Sequence, residues 1–283
     1  MLVTAKQVLA DARAGRYAVP AFDCVEDVWV RAILETAEAC RAPVFLMCLE
    51  PDVAGNGWLY FAGLVRAVAA GHAIPIVLHL DHTTSLDSIR KAVDLGFTSV
   101  MIDGSSLPFD ENARLTRAAV EIAHPHGVSV EGELGHVGGL DLEAARRAEN
   151  VLTEPDEVAR FVDQTEVDAL AVSIGTSHGV YQSLPTLNIA RLKELNQASR
   201  VPLVLHGGSG TPTDQLQEAI ASGIAKINIY ADCRIAMRRG LERAAASQRR
   251  QDPLPREVFG PIKEEIAAVV KEKIEQLFAA GRV

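Results

Sequence analysis

Three absences narrow the reading of this 283-residue chain. Its four cysteines, Cys24, Cys40, Cys48 and Cys233, are far apart and form no Cys-x-x-Cys pair. That fits a reduced, cytoplasmic protein better than a disulfide framework. Basic residues are in the minority, 28 Lys and Arg against 37 Asp and Glu, for a net charge of −9. There is thus no cationic footprint for nucleic acid or for an anionic membrane. No apolar run reaches bilayer-spanning length, and Met1-Leu2-Val3-Thr4-Ala5-Lys6 opens into a helix-like segment rather than a secretory leader. What is present is ordinary for a globular protein: 48% hydrophobic and 23% charged residues, enough for one barrel-sized domain or two small ones. The acidic balance adds one requirement. An anionic ligand would need a local positive site, either a metal ion or a nest of backbone N–H groups.

The chain alternates short apolar runs with helical periodicity from end to end. Strands are expected at 18–22, 43–48, 74–78, 99–102, 127–133, 169–174, 202–205 and 225–229. Helices are expected between them, with two more at about 232–246 and 261–279. Most of the strands are continuously apolar, as strands covered on both faces should be. Eight such units in this length point to an α/β fold, the (β/α)8 or TIM barrel, with an extra C-terminal helix and a single domain over residues 1–283. A doubly wound open sheet is the competing architecture. It fits less well, because the alternation continues to the end without a second composition type. The 249–253 stretch is polar, and no low-complexity segment or linker is visible.

Chemistry gathers at the carboxyl ends of the strands, where α/β barrels place their sites. The third strand runs into His79-Leu80-Asp81-His82, where His79 and Asp81 share a face and His82 stands at the strand end. The fifth offers Glu131 and Glu133, the sixth His178, the seventh His206 and the eighth Asn228. Three histidines on one rim make a plausible set of protein ligands for a catalytic metal that keeps one open position. His72, His124, His126 and His136 fall at helix ends or in loops and read as solvated. The run His206-Gly207-Gly208-Ser209-Gly210, with Gly179 after His178, is suited to close approach of an anion to backbone N–H groups.

The motifs Ala18-Val19-Pro20-Ala21-Phe22, His79-Leu80-Asp81-His82, Glu131-Gly132-Glu133-Leu134-Gly135, Gly175-Thr176-Ser177-His178-Gly179, His206-Gly207-Gly208-Ser209-Gly210 and Lys226-Ile227-Asn228-Ile229 stand in order along the chain. With Met101-Ile102-Asp103-Gly104-Ser105, they make it resemble the class II, metal-dependent ketose-bisphosphate aldolases, nearer the tagatose-bisphosphate type. The resemblance implies a lyase that cleaves a ketose bisphosphate to dihydroxyacetone phosphate and an aldehyde through an enediolate. It also implies Zn2+ on His82, His178 and His206, with Glu133 as an additional or alternative ligand, and a monovalent cation as a further candidate. Asp81 is then the acid/base at the C4 hydroxyl. Gly179, Gly207, Ser209 and Asn228 hold the phosphate and the ketose end, and a homodimer or homotetramer is implied. Departures cluster around the substrate. Asp23 replaces the usual Asn, and Asp141 is the carboxylate nearest an expected catalytic Glu. Tyr230-Ala231 replaces a Thr-bearing pair, and Cys48-Leu49-Glu50-Pro51 follows the second strand. They raise two alternatives: an aldolase for a non-phosphorylated or modified ketose, and a non-catalytic companion subunit. An amidohydrolase-like hydrolase is disfavoured, since the first strand carries no His-x-His pair.

Overall fold

The computed structural model describes residues 1–139, 150–181 and 183–283. Among these, eight parallel strands close into one barrel in chain order: β1 (Val19–Asp23), β2 (Val44–Leu49), β3 (Ile76–Thr83), β4 (Ser99–Ile102), β5 (Ser129–Leu134), β6 (Ala169–Val172), β7 (Leu203–Leu205) and β8 (Ile224–Ile229). Closure is direct, with Ala21 of β1 level with Asn228 of β8. The helices are α1 (Ala5–Gly15), α2 (Asp27–Ala39), α3 (Gly57–Ala69), α4 (Leu86–Asp94), α5 (Phe109–Ala123), α6 (Pro155–Thr165), α7 (Ile189–Ala198), α8 (Thr213–Ala221), α9 (Ala231–Ser247) and α10 (Pro255–Gln276). The expected barrel with an extra terminal helix is the observed one.

The strands form because β-branched and apolar side chains bury on both faces, outward against the helices and inward into the barrel. Phe22, Phe45, Leu46 and Ile76 are fully buried. α1 lies against β1, β5, β6 and β8 at their amino ends, and Lys6 joins Asp168 there. That leaves the carboxyl ends open. The barrel interior departs from an apolar core in one sector. His79 and Asp81 on β3, Glu131 and Glu133 on β5, and Lys226 and Asn228 on β8 are all buried. The two-residue spacing on each strand stacks them in two polar levels, one above the other.

Element boundaries differ from the sequence reading in two instructive places. β6 stops at Val172, so His178 sits in the loop beyond rather than at a strand end. The last helix starts at Pro255 instead of residue 261. Pro255 occupies the first helical turn, where its missing N–H costs nothing, and Glu257 bonds the Leu254 N–H at 2.7 Å. Pro261 is then carried inside the helix, which the sequence pattern had made its start.

α10 packs against α9 and α2. At the α9 crossing stands Gly240, where an added Cβ would lie 2.5 Å from Ile262 Cα and 2.9 Å from the Pro261 carbonyl oxygen. Gly240→Ala gains about 1 kcal/mol of helix propensity but forces two backbones apart, at a typical cost of about 1–3 kcal/mol. The net expectation is a lower urea midpoint with an unchanged slope. A midpoint that rises would show that α10 yields freely.

Candidate active site

Local backbone features bring the site together. A register shift interrupts the β3–β4 ladder between Leu80 and Thr83, and His82 within it has φ +37. Left-handed backbone at a non-glycine residue is costly and marks a side chain that the surroundings force into place. Gly207, after β7, has φ +69, and an added Cβ would lie 2.5 Å from the Ser177 carbonyl oxygen. That glycine lets the loops bearing His178 and His206 approach each other closely.

The result is a cluster of imidazoles. Ring centroids are 4.5 Å apart for His82–His206, 5.0 Å for His82–His178 and 5.8 Å for His178–His206. One nitrogen from each lies within 4.8 Å of the others. His82 Nε2, His178 Nε2 and His206 Nδ1 are buried without a hydrogen-bond partner, and so is Glu133 Oε2, 3.4 Å from His206 Nδ1. Buried polar atoms in native proteins are nearly always satisfied. Three bare imidazole nitrogens beside a bare carboxylate oxygen fit a divalent cation, in number and in donor chemistry. His82 with Asp103 and Glu133 forms an overlapping group, also within 4.8 Å.

The opposite nitrogens of His82 and His206 are occupied. His82 Nδ1 is 3.0 Å from Asp103 Oδ2, whose partner oxygen accepts the Ser105 N–H at 3.0 Å. His206 Nε2 is 2.9 Å from Glu131 Oε1, and Lys226 Nζ is 2.8 Å from Glu131 Oε2. Such carboxylates orient a metal-binding imidazole. Four carboxylates, Asp81, Asp103, Glu131 and Glu133, surround the Lys226 ammonium and the imidazoles of His82 and His206, and although burial opposes it these carboxylates raise both imidazoles above their ordinary value. Burial opposes ionisation of Glu131, yet Lys226 and His206 bring it down to about 2. Burial and the neighbouring His82 and His206 depress His178 to about 3, so its ring stays neutral. Burial likewise opposes ionisation of Asp81, but His82, His79 and Lys226 hold it well below the usual carboxylate range.

Asn228 Nδ2 donates to both Asp81 oxygens, at 3.1 and 3.2 Å, so the carboxylate faces the cleft in one orientation. The cleft is lined by Asp23, Leu49, Asp81, His82, His178, Gly179, Gly207, Ser209, Asn228, Tyr230 and Ala231. Its far side is formed by Ser209 and the start of α9. Ser209 Oγ accepts the Tyr230 and Asp232 N–H groups at 3.1 and 3.2 Å, leaving its own O–H to donate, and Ala231 opens α9. Burial and the Asp81 charge push Asp23 well above the usual range. Tyr230 O–H donates to Asp52 at 2.9 Å and walls the cleft.

The structure therefore brings together His82, His178, His206, Glu133, Asp81, Asn228, Gly179, Gly207 and Ser209. Asp141 lies outside the described residues. The other histidines are not all solvated as expected. His72 binds Glu38 at 2.6 Å, His124 binds Asp168 at 2.9 Å and His136 binds Ser105 at 2.8 Å. Lys263 of α10 pairs with Glu35 of α2. The sequence reading gave no role to Asp103, Glu131 or Lys226. One signal was there to find: Lys226 is a lysine inside an otherwise apolar strand, where only a buried partner makes it tolerable.

Comparison with known proteins follows the same line. Residues 3–282 match the family model described as "Fructose-bisphosphate aldolase class-II". A fructose-bisphosphate aldolase of Geobacillus stearothermophilus is 38% identical, covering 99% of this chain and 98% of that protein. One of Giardia intestinalis is 37% identical, covering 99% and 94%. Among solved structures, the YdjI aldolase of Escherichia coli K12 superposes with a TM-score of 0.88 at 32% identity, over 99% of both chains.

The geometry gives a direct expectation. A divalent transition metal at about 100 times its Kd should raise unfolding free energy by about 2.7 kcal/mol. His178→Ala, which removes a loop ligand without opening the barrel core, should lose most of that rise. Equal stabilisation of both proteins would place the metal elsewhere.

Proposed function

The chain belongs to the class-II fructose-bisphosphate aldolase family, and we propose that it is a zinc enzyme that reversibly cleaves a ketose (bis)phosphate to dihydroxyacetone phosphate and an aldehyde. The observation that carries this reading is the set of unpartnered nitrogens on His82, His178 and His206 beside the Asp81 carboxylate held by Asn228. The proposed ligands are those three histidines, with Glu133 as a fourth or alternative donor. The proposed enzyme is cytoplasmic and a homodimer or homotetramer. No helix among the described residues is long and apolar enough to cross a membrane.

A divalent cation bound there supplies a fixed positive charge for the enediolate oxygens that C3–C4 cleavage generates. The rest is the work of side chains. Asp81 takes the C4 hydroxyl proton as the C3–C4 bond breaks and returns it in condensation. Its neighbours keep it ionised, as that role requires. Asn228 fixes the direction of its lone pairs. Gly179, Gly207 and the Ser209 hydroxyl, with the start of α9, take the phosphate of the ketose end. Asp141 is proposed for proton exchange at C3.

The departures around the cleft bear on the sugar. Burial and Asp81 push Asp23 well above the usual carboxylate range, toward the neutral form, which can donate a hydrogen bond as the usual asparagine does. Ala231 brings no hydroxyl to the cleft. A charge-assisted hydrogen bond contributes about 1.5–3 kcal/mol, so the loss favours a ketose other than fructose or tagatose 1,6-bisphosphate. A non-catalytic companion subunit would need neither a buried ionised Asp81 nor its Asn228 clamp.

The test is triose phosphate release from fructose and tagatose 1,6-bisphosphate and from ketose 1-phosphates. The expected result is release abolished by EDTA and restored by zinc. Asp81→Asn, nearly isosteric, should lower kcat about 10²- to 10⁴-fold while zinc content stays at the wild-type level. Release that survives both EDTA and Asp81→Asn contradicts the assignment.

A further inference from the structure

Lys226 takes no part in the reaction as described, yet it has no exposed surface and stands in the middle of β8 among apolar neighbours. A buried ammonium is costly unless it is paired with good geometry. Its Nζ is 2.8 Å from Glu131 Oε2, and the Phe45 ring centroid lies 5.3 Å from it. Glu131 is itself only 1% exposed, and its second oxygen meets His206 Nε2 at 2.9 Å. His206 Nδ1 is left bare, facing Glu133.

These contacts form a chain of fixed direction. A carboxylate accepts and cannot donate, so the His206 proton belongs on Nε2 and the lone pair on Nδ1. A carboxylate free to rotate would hold the ring loosely. With Oε2 pinned by Lys226, Oε1 has one place to point. His82 has the same arrangement by other means, since its carboxylate, Asp103, is pinned by the Ser105 backbone N–H. In that loop a backbone N–H does the pinning. Deep in the barrel Glu131 instead takes a side chain from β8, three strands away.

We propose that Lys226 is a positioning residue which, through Glu131, fixes the nitrogen that His206 presents and so sets the affinity and coordination geometry of the metal site. This rests on His82, His178 and His206 being the metal ligands. Carboxylates and their supports behind metal-bound histidines typically change metal affinity about 10- to 100-fold.

The test uses the full-length protein and reads metal, not turnover. Cobalt(II) is bound in place of zinc, affinity is measured by competition with a chromophoric chelator, and the visible cobalt bands report ligand geometry. Lys226→Met should weaken affinity by about 10- to 100-fold and shift the cobalt bands. Apo-protein stability should fall, because methionine leaves the buried Glu131 carboxylate without its ion-pair partner. Lys226→Gln serves the same purpose if the methionine variant does not fold. Glu131→Gln should produce a similar loss, and adding Lys226→Met to it should cost less than about threefold more, since one residue acts through the other. A folded Lys226 variant with unchanged affinity and unchanged cobalt bands overturns the proposal. So does full additivity in the double variant, or a wild-type protein that binds no cobalt. Wild-type protein that holds cobalt with the expected response to Lys226→Met, but cleaves no ketose phosphate, overturns the aldolase assignment and leaves this inference standing.

Discussion

A buried gap governs this structure: imidazole nitrogens without partners, set among the carboxylates of Asp81, Asp103, Glu131 and Glu133. His82 Nε2, His178 Nε2, His206 Nδ1 and Glu133 Oε2 are all removed from solvent and unbonded. In an interior of low effective dielectric, such atoms are costly. A polypeptide that gathers four of them has arranged them for something other than itself. The back of two of the rings is in the opposite condition. Asp103 and Glu131 satisfy the far nitrogens of His82 and His206, and further donors hold those carboxylates. These two rings are supported from behind and bare in front, which is the arrangement a metal centre requires.

The same constraint explains where the fold departs from regularity. A ladder that continued undisturbed along β3 would alternate Asp81 inward and His82 outward. The register shift and the left-handed φ at His82 break that alternation and turn both side chains to the cleft. The loop after β6 and the glycine at 207 bring the other two rings within reach. Among the described non-glycine residues His82 is the one with left-handed backbone at the mouth of the barrel; Arg16, Arg41, Glu166 and Phe278 close helices. The Asp81–Asn228 pair uses the barrel differently. Its two residues come from β3 and β8, so the proposed acid/base has an orientation that neither strand alone could give it.

The architecture was legible because each strand carried its own pattern, an apolar run ending in polar residues. The histidines, Asp81 and the glycines could be placed for the same reason, since a strand's end fixes which rim it reaches. Three things were not legible. The left-handed turn at His82 depends on β4 packing beside it, and nothing in His79-Leu80-Asp81-His82 announces it. The partners of His72, His124 and His136 come from distant segments, so solvation was the natural expectation and proved wrong. The support behind His206 links β5, β7 and β8, and two-residue periodicity tells which residues point inward but not which meet. The start of α10 was misplaced for a local reason: Pro261 looks like a first turn, and the stronger signal at Pro255 lies one polar stretch earlier.

The central claim is that three specified nitrogens hold one metal ion. Anomalous scattering at the zinc edge, from crystals of the zinc-loaded protein, tests it directly. The expected result is one strong peak about 2.0–2.1 Å from each of His82 Nε2, His178 Nε2 and His206 Nδ1, with Glu133 as the neighbouring oxygen. A peak at surface carboxylates instead, or coordination through His206 Nε2 with Glu131 displaced, would contradict the account.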